Sequence, residues 1–182
     1  MSNAIMQDEV RHTLSILVDD EPGVLARVIG LFSGRGYNIE SLTVAGVDEN
    51  NRLSRISIVT RGTPMVIEQV KAQLDRIIPV HSVKDLTEQG RHIERELALI
   101  KISNIGEPRI EALRIADTFR ARTLDSTLES FVFEITGSSS KITAFIELMR
   151  ALGNIEVSRT GVSAISRGAD IDMPIQHHID MK

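Results

Sequence analysis

The sequence predicts an α+β protein made of two consecutive βαββαβ units, each an antiparallel four-stranded sheet with both helices on one face. Two observations predict this class. The same order of strand-period and helix-period segments occurs twice along the 182 residues. A polar stretch with one glycine, Thr87 to Arg95, separates the two occurrences and suits a linker. The expected limits are 11–87 for the first unit, 95–168 for the second, and 1–10 and 169–182 for flexible termini.

The first unit opens with a strand that leads through a short turn into a helix. Leu14, Ile16 and Val18 recur at the period of two that is typical of a half-buried strand. Pro22 suits the first helical position, and Gly36 suits a left-handed residue that ends the helix. The apolar residues that recur at helical spacing between them are Val24, Leu25, Val28, Ile29 and Phe32.

A hairpin, a second helix and a last strand complete the first unit. Thr63-Pro64 is a helix start and Pro79 a helix stop. The strands are expected at 37–47, 53–60 and 80–86, with a polar hairpin loop at 48–51. Because this sheet has an exposed edge strand and one face without helices, we expect two copies of the first unit to form a dimer.

The second unit repeats the pattern with a shorter hairpin turn near Ser130. Pro108 leads its first helix, and Ser138 begins the capping run of its second. The strands are expected at 97–102, 123–129, 131–136 and 155–165.

Composition excludes several classes of function. The 21 basic and 25 acidic residues give a net charge of -4, which disfavours a general affinity for nucleic acid or for an anionic membrane. The absence of cysteine excludes disulfides, a thiol nucleophile and cysteine metal sites. No signal peptide and no run of about 18 apolar residues is evident, so we expect a cytoplasmic protein or the mature part of an organellar one.

The turn before the first helix is the best candidate for a ligand site. It reads Asp19-Asp20-Glu21-Pro22-Gly23-Val24-Leu25, and the first backbone N–H groups of a helix attract an anion. An ordinary capped turn is the alternative interpretation. A phosphate would be repelled by the acidic loop, which leaves the carboxylate of a free amino acid as the better guest.

Asn38 is the second component of this candidate site. We expect Tyr37-Asn38-Ile39, where the second strand begins, to lie at the same end of the sheet as the end of the first strand. The amide of Asn38 offers both donors and acceptors, which suits the ammonium and the carboxylate of an amino acid. The carboxylate of Asp20 only accepts, and would suit the ammonium alone.

Other motifs do not predict catalysis or a metal. Gly34-Arg35-Gly36 ends a helix and is therefore not a phosphate loop. The pair His177-His178 lacks the spacing of a structural metal site, and no serine, histidine and acid set indicates a triad. The charge cluster Glu94-Arg95-Glu96 is either a solvated linker or a docking contact. The sequence therefore predicts neither a catalytic residue nor a metal ligand.

Two other classes share the expected architecture. RNA-binding modules carry aromatic residues on the central strand, whereas Leu53-Ser54-Arg55-Ile56-Ser57-Ile58 has none. Acylphosphatases carry an arginine in the loop after the first strand, where this chain has three acids. Both classes are disfavoured.

Two runs resemble the regulatory (small) subunit of acetohydroxyacid synthase, also called acetolactate synthase. They are Arg27-Val28-Ile29-Gly30-Leu31-Phe32-Ser33 and Arg35-Gly36-Tyr37-Asn38-Ile39-Glu40-Ser41-Leu42-Thr43-Val44. The resemblance covers about residues 11–168, with further matches at 53–55, 94–97, 99–101 and 161–168. It implies two tandem ferredoxin-like domains, of which the first is an ACT domain, a class marked more generally by Pro22-Gly23-Val24-Leu25.

The resemblance also implies where an effector binds. Gly23, Val24 and Leu25 would donate backbone N–H groups to the carboxylate of valine, and Asn38 with Ile39 would complete the pocket from the neighbouring copy. Many relatives carry asparagine where this chain has Asp20, and a carboxylate there loses a donor. Inhibition by valine would then be weaker or differently tuned.

Partners and cofactors follow from the same resemblance. Such subunits are not catalytic; they bind a large catalytic subunit, raise its activity and confer feedback inhibition by valine in branched-chain amino acid biosynthesis. Thiamine diphosphate, Mg and FAD would lie only in that large subunit, with no cofactor or metal in this chain. The rival hypothesis is a stand-alone tandem-ACT amino-acid sensor that acts on a transcription regulator.

Overall fold

The computed structural model describes residues 9–173, which form two compact units. One comprises the residues up to Ile93 together with those from Ala164 onward, and the other is Glu94–Ser163. The residues from Ala164 therefore group with the first unit, whereas the sequence predicted that the second unit extends to residue 168. None of the helices within the described residues is long and apolar enough to span a membrane.

The first unit has the predicted βαββαβ order. Its sheet runs β2-β3-β1-β4 with every neighbouring pair antiparallel, so that β2 and β4 are the edge strands. The elements are β1 (Val10–Asp19), α1 (Val24–Arg35), β2 (Ile39–Asp48), β3 (Leu53–Gly62), α2 (Pro64–Leu74) and β4 (Val80–Asp85).

The core of the first unit follows from strand and helix periodicity. Leu14, Ile16 and Val18 of β1 pack against the buried faces of α1 and α2. The opposite face of β1 is buried as well, since Thr13, Ser15 and Leu17 are at most 1% exposed. The prediction of a half-buried strand was therefore wrong for β1: a central strand covered on both faces still shows alternation when small polar residues fill one face. The other residues of this cluster are Val24, Val28, Phe32, Ile56, Ile58, Ile67, Val70 and Leu74.

The second unit repeats the order, with one difference at its end. Its sheet runs β6-β7-β5-β8, and β9 also pairs with β5. The single strand expected at 155–165 is two strands, because the chain turns at Gly161, whose φ of 84° favours glycine. The elements are β5 (His92–Ser103), α3 (Glu107–Phe119), β6 (Arg122–Ser126), β7 (Ser130–Gly137), α4 (Ser139–Leu152) and β8 (Asn154–Arg159). The strand β9 (Ser163–Ser166) follows, and its residues from Ala164 group with the first unit.

The aromatic residues of the second unit form the centre of its core. Phe133 and Phe145 are both fully buried, with ring centroids 6.2 Å apart in an edge-to-face arrangement. Phe119 packs against Phe145 at 5.4 Å, and Met149 is also fully buried. The predicted α+β class is thus confirmed in both units.

The predicted flexible C-terminal tail, 169–182, is wrong in its first part. The side chain of Asp172 is only 13% exposed and forms ion pairs with Arg55 and Lys84. These contacts hold the segment against the first sheet. Residues 1–8, predicted to be part of a flexible terminus, and His177 and His178, judged not to form a metal site, lie outside the described residues.

Candidate functional site

The turn before α1 is held in place by backbone hydrogen bonds at the end of β1. The N–H of Asp19 donates to the carbonyl of Pro79 at 2.9 Å, and the N–H of Asp20 to that of Arg52 at 2.6 Å. Gly23 then adopts a left-handed conformation, with φ 89°, and α1 begins at the next residue. A residue with a side chain would be strained at that φ, so the turn depends on Gly23.

The start of α1 presents unpaired hydrogen-bond donors to solvent. Within residues 9–173, the backbone N–H groups of Gly23, Leu25 and Ala26 have no hydrogen-bond partner, and no side chain caps the helix. Gly23 and Leu25 are exposed. Val24 differs, because its N–H makes a long bond of 3.4 Å to Glu21 and its side chain is 4% exposed in the core. Two of the three donors predicted at this turn, those of Gly23 and Leu25, are thus available to an anion.

The charge around these donors is predominantly acidic. Asp20 and Glu21 are exposed, and the carboxylate of Asp19 contacts His81 Nε2 at 2.6 Å. The guanidinium of Arg52 donates to the carbonyl of Asp20 at 3.3 Å. A zwitterion suits this surface better than a phosphate, because the N–H groups bind its carboxylate while the acids attract its ammonium.

Asn38 and Ile39 lie at the opposite end of the sheet from this turn, so the prediction that they share one end was wrong. Ile39 pairs with Thr60, whose hydroxyl donates to the carbonyl of Asn38 at 2.6 Å, whereas Asp19 pairs with Leu53. Seven residues of β3 separate the two points, which is about 23 Å. The physical reason is that β1 and β2 are both antiparallel to β3 and so parallel to each other, and α1 carries the chain back between them.

The edge strand β2 is the other exposed feature of this unit. Its residues 44–47 are all exposed, including Val44 at 40% and Val47 at 44%. Apolar side chains on an edge strand are typical of a surface that pairs with another chain.

His12, Asp85 and Glu88 are the group closest to a metal site among the described residues. Their ligand atoms lie within 4.8 Å of one another. The carboxylate of Asp85 already accepts bonds from His12 and from the N–H of Thr87, and Glu88 is bound by Lys71 at 2.8 Å. This donor set is engaged by the protein itself, which favours a structural role.

Two buried ion pairs were missed by the sequence interpretation. Glu96 is 5% exposed and is bound at both oxygens by Arg159, at 2.6 and 2.7 Å, so it is neither a solvated linker nor a docking contact. Arg55 donates to one carboxylate oxygen of Asp172 at 3.0 Å and to its backbone carbonyl at 2.6 Å. A signal was available in each case, since a charge within an apolar strand needs a buried partner.

Comparison with known protein families gives two matches, which together cover most of the chain. Residues 95–168 match the family described as the small subunit of acetolactate synthase. Residues 14–82 match the family described as the AHAS small subunit-like ACT domain.

The alignments with individual relatives span nearly the full length of each relative. A probable acetolactate synthase small subunit of Archaeoglobus fulgidus is 47% identical over 87% of this chain and 98% of that protein. The acetolactate synthase isozyme 3 small subunit of Escherichia coli is 45% identical over 89% and 99%. Among solved structures, the acetolactate synthase small subunit of Thermotoga maritima matches with a TM-score of 0.78 at 36% identity, over 88% of this chain and 99% of that one.

Proposed function

Because the chain belongs to the family of acetolactate synthase small subunits, we propose that it regulates a separate catalytic subunit and performs no catalysis of its own. In this proposal it binds a thiamine-diphosphate-dependent large subunit, raises its activity and makes it sensitive to valine. Thiamine diphosphate, Mg and FAD then belong to the large subunit. The observation that carries the proposal is that the family match extends over both units rather than over the ACT domain alone.

The valine site we propose lies between two copies of the first unit. A two-fold axis that pairs β2 with β2 of a second copy makes the two strands antiparallel. With the axis near Thr43 and Val44, Ile39 of one copy faces Asp48 of the other. Asp48 pairs with Leu53, and Leu53 pairs with Asp19. Ile39 of the second copy therefore lies at the end of the sheet where α1 begins.

This pairing resolves the separation of the site residues within one chain. Asn38 of the partner subunit would arrive about three strand spacings, or about 14 Å, from the end of β1. The N–H groups of Gly23 and Leu25 would bind the valine carboxylate, and Asn38 and Ile39 of the partner subunit would close the pocket. Asp20 would accept a bond from the ammonium.

The regulatory mechanism we propose is thermodynamic linkage. Valine binds one state of the dimer better than the other, and the difference reaches the large subunit as a coupling free energy of about 1–3 kcal/mol. Linkage is reciprocal for binding, so a bound large subunit changes the affinity of the chain for valine by the same factor.

Reconstitution tests the regulatory role. The purified chain is added to an acetolactate-forming large subunit, and acetolactate is measured with and without valine. We expect stimulation without valine and inhibition with it. If neither occurs, and the chain recovers a DNA-binding protein and no synthase in a pull-down, the stand-alone sensor replaces this proposal.

Three variants test the site. Gly23→Asp places a charge at the expected carboxylate position, and Asn38→Ala removes the amide, so both should abolish or strongly weaken valine inhibition. Gly34→Asp is the matched control, since Gly34 is exposed in open space at the other end of α1. Full valine inhibition in both site variants would show that the pocket lies elsewhere.

A further inference from the structure

A second polar site lies on the face of the first sheet that points away from α1 and α2. Ser15 pairs with Lys84 on one side, and Leu17 pairs with Arg55 and Ser82. Because alternate residues of a strand share a face, these residues all lie opposite the helix-facing residues of β1. Ser15 is 1% exposed, so this face is buried rather than open.

All of the polar side chains in this group converge on the carboxylate of Asp172. Arg55 Nη1 donates to Oδ2 at 3.0 Å and Nη2 to the backbone carbonyl of Asp172 at 2.6 Å. Lys84 Nζ lies 3.0 Å from Oδ1, and the Ser82 hydroxyl donates to Oδ1 at 2.9 Å. Ser15 completes the arrangement by accepting from Arg55 Nη1 at 2.8 Å. Two cations and a hydroxyl thus hold one carboxylate.

The pKa of Asp172 agrees with this geometry. Burial raises it, but hydrogen bonds from Lys84, Arg55 and Ser82 lower it by more, so that the pKa lies below its ordinary value of 3.8. The surroundings of this position therefore stabilise a negative charge.

A cavity of about 340 Å³ lies beside the carboxylate, within the first unit. Its polar lining includes Ser15, Arg55, Lys84 and Asp172 of this group together with Ser166 and Asp170. Its apolar lining comes from Val47, Leu86, Ile165, Ile171 and Met173. This volume is in the range of pockets that hold small molecules, which combine apolar walls with a few polar groups that fix orientation.

We propose that Ser15, Arg55, Ser82 and Lys84 form a second ligand site, for a small carboxylate with an apolar side chain, and that Asp172 is its internal competitor. Arg55 and Lys84 both direct their charge at one position, which favours an anion there, so a second carboxylate can replace Asp172 when its segment leaves. The apolar part of that ligand packs against Val47, Leu86 and Ile165, the apolar walls of the cavity that remain when the segment leaves. The polar groups of this site differ from those of the valine site, which are at the start of α1 and at Asn38 of the partner subunit.

The segment that carries Asp172 is held mainly by this one side chain. Asp170 and Ile171 are exposed, Ile171 at 82%. Within residues 168–173, the only hydrogen bonds recorded are those of Asp172. A ligand that takes the donors of Arg55 and Lys84 therefore releases the segment, and its apparent affinity is reduced by the fraction of time that Asp172 occupies them.

Removing the competitor tests the proposal. The probe is 3-methylbutanoate, titrated into the full chain without valine and followed by calorimetry and by amide NMR shifts of β3 and β4. Asp172→Asn should bind the probe at least about tenfold tighter than the unaltered chain. The matched control is Asp117→Asn, which makes the same charge change at an exposed position that does not line the cavity, and should bind like the unaltered chain.

Three further measurements test whether the probe binds at this site and through its carboxylate. Adding Lys84→Gln to Asp172→Asn should weaken binding again, whereas adding Gly23→Asp should not, which separates this site from the valine site. Isobutylamine, a cation of similar shape, should not bind. Equal binding by Asp117→Asn and Asp172→Asn, no binding by either, or tighter binding of inorganic phosphate than of the carboxylate would overturn the proposal.

Discussion

The buried pair Glu96–Arg159 should respond very unequally to the loss of its two members. Glu96 has 4% of its side chain exposed, whereas Arg159 has 35%. Arg159→Met leaves a buried carboxylate without its two charge-assisted bonds, and Glu96→Leu leaves a guanidinium that can reach water. The hydrogen bond to Glu96 raises the pKa of Arg159, and burial lowers it by less, so the guanidinium is charged near neutral pH.

The magnitudes follow from the cost of removing the two charge-assisted bonds that offset the burial of the carboxylate. Arg159→Met should lower the free energy of unfolding by about 3–5 kcal/mol. Glu96→Leu should cost less than about 2 kcal/mol, since Arg159 already extends to the surface. The double variant should lie within about 1 kcal/mol of the unaltered chain, because apolar replacement of both members leaves no charge buried. For a chain of this length, 3–5 kcal/mol corresponds to a fall in Tm of about 6–20 °C.

Urea unfolding at neutral pH, followed by circular dichroism, measures these differences. The control is Arg122→Met, which breaks a pair whose arginine is 77% exposed and should cost no more than about 1 kcal/mol. The reasoning is refuted if Arg159→Met costs no more than Glu96→Leu, or if the double variant is as unstable as Arg159→Met.

Other elements of the structure lead to three further predictions. Thr63→Ala removes the hydroxyl that accepts the N–H of Val66 and caps α2, and should lower the free energy of unfolding by about 1 kcal/mol in urea. An unchanged free energy of unfolding would show that this cap does not stabilise α2. Val44→Asp places like charges near the proposed two-fold axis and should give monomers in sedimentation, whereas Met65→Asp on α2 should not; a dimer in both excludes pairing through β2. The contacts of Asp172 should be complete above pH 3.8 and be lost as the pH falls through its lowered pKa, and a carboxyl NMR titration at or above 3.8 would contradict this.

The order of the elements was predictable because it depends on local periodicity and punctuation. Gly36, Thr63 and Pro79 mark helix starts and stops through their own backbone preferences, which need no tertiary information. The prediction of Pro22 at the first helical position was wrong, because α1 begins at Val24 after Gly23 and Pro22 lies in the turn before it. Asn38 shows where local reasoning ends. Its distance from Asp19 depends on strand direction, and parallel strands joined by a helix begin at the same end of a sheet, which the sequence interpretation overlooked.

Charged residues were the other source of error. Glu96 and Asp172 are acids in polar stretches, and composition alone classes such stretches as solvated. Their burial depends on arginines 63 and 117 residues away in the chain. Long-range pairing of this kind leaves no periodic pattern, although each arginine stands out as a charge within its strand.

The most direct test of the proposed valine site is a mixed dimer. One chain carries Gly23→Asp and the other Asn38→Ala, and calorimetry counts the valine bound per dimer. If each site joins the α1 start of one copy to Asn38 of the other, both homodimers lose both sites, while the mixed dimer keeps one intact site made from the two unaltered surfaces. We therefore expect one valine per mixed dimer and none per homodimer of either variant. No valine in the mixed dimer, with two in the unaltered dimer, would contradict a site shared between copies.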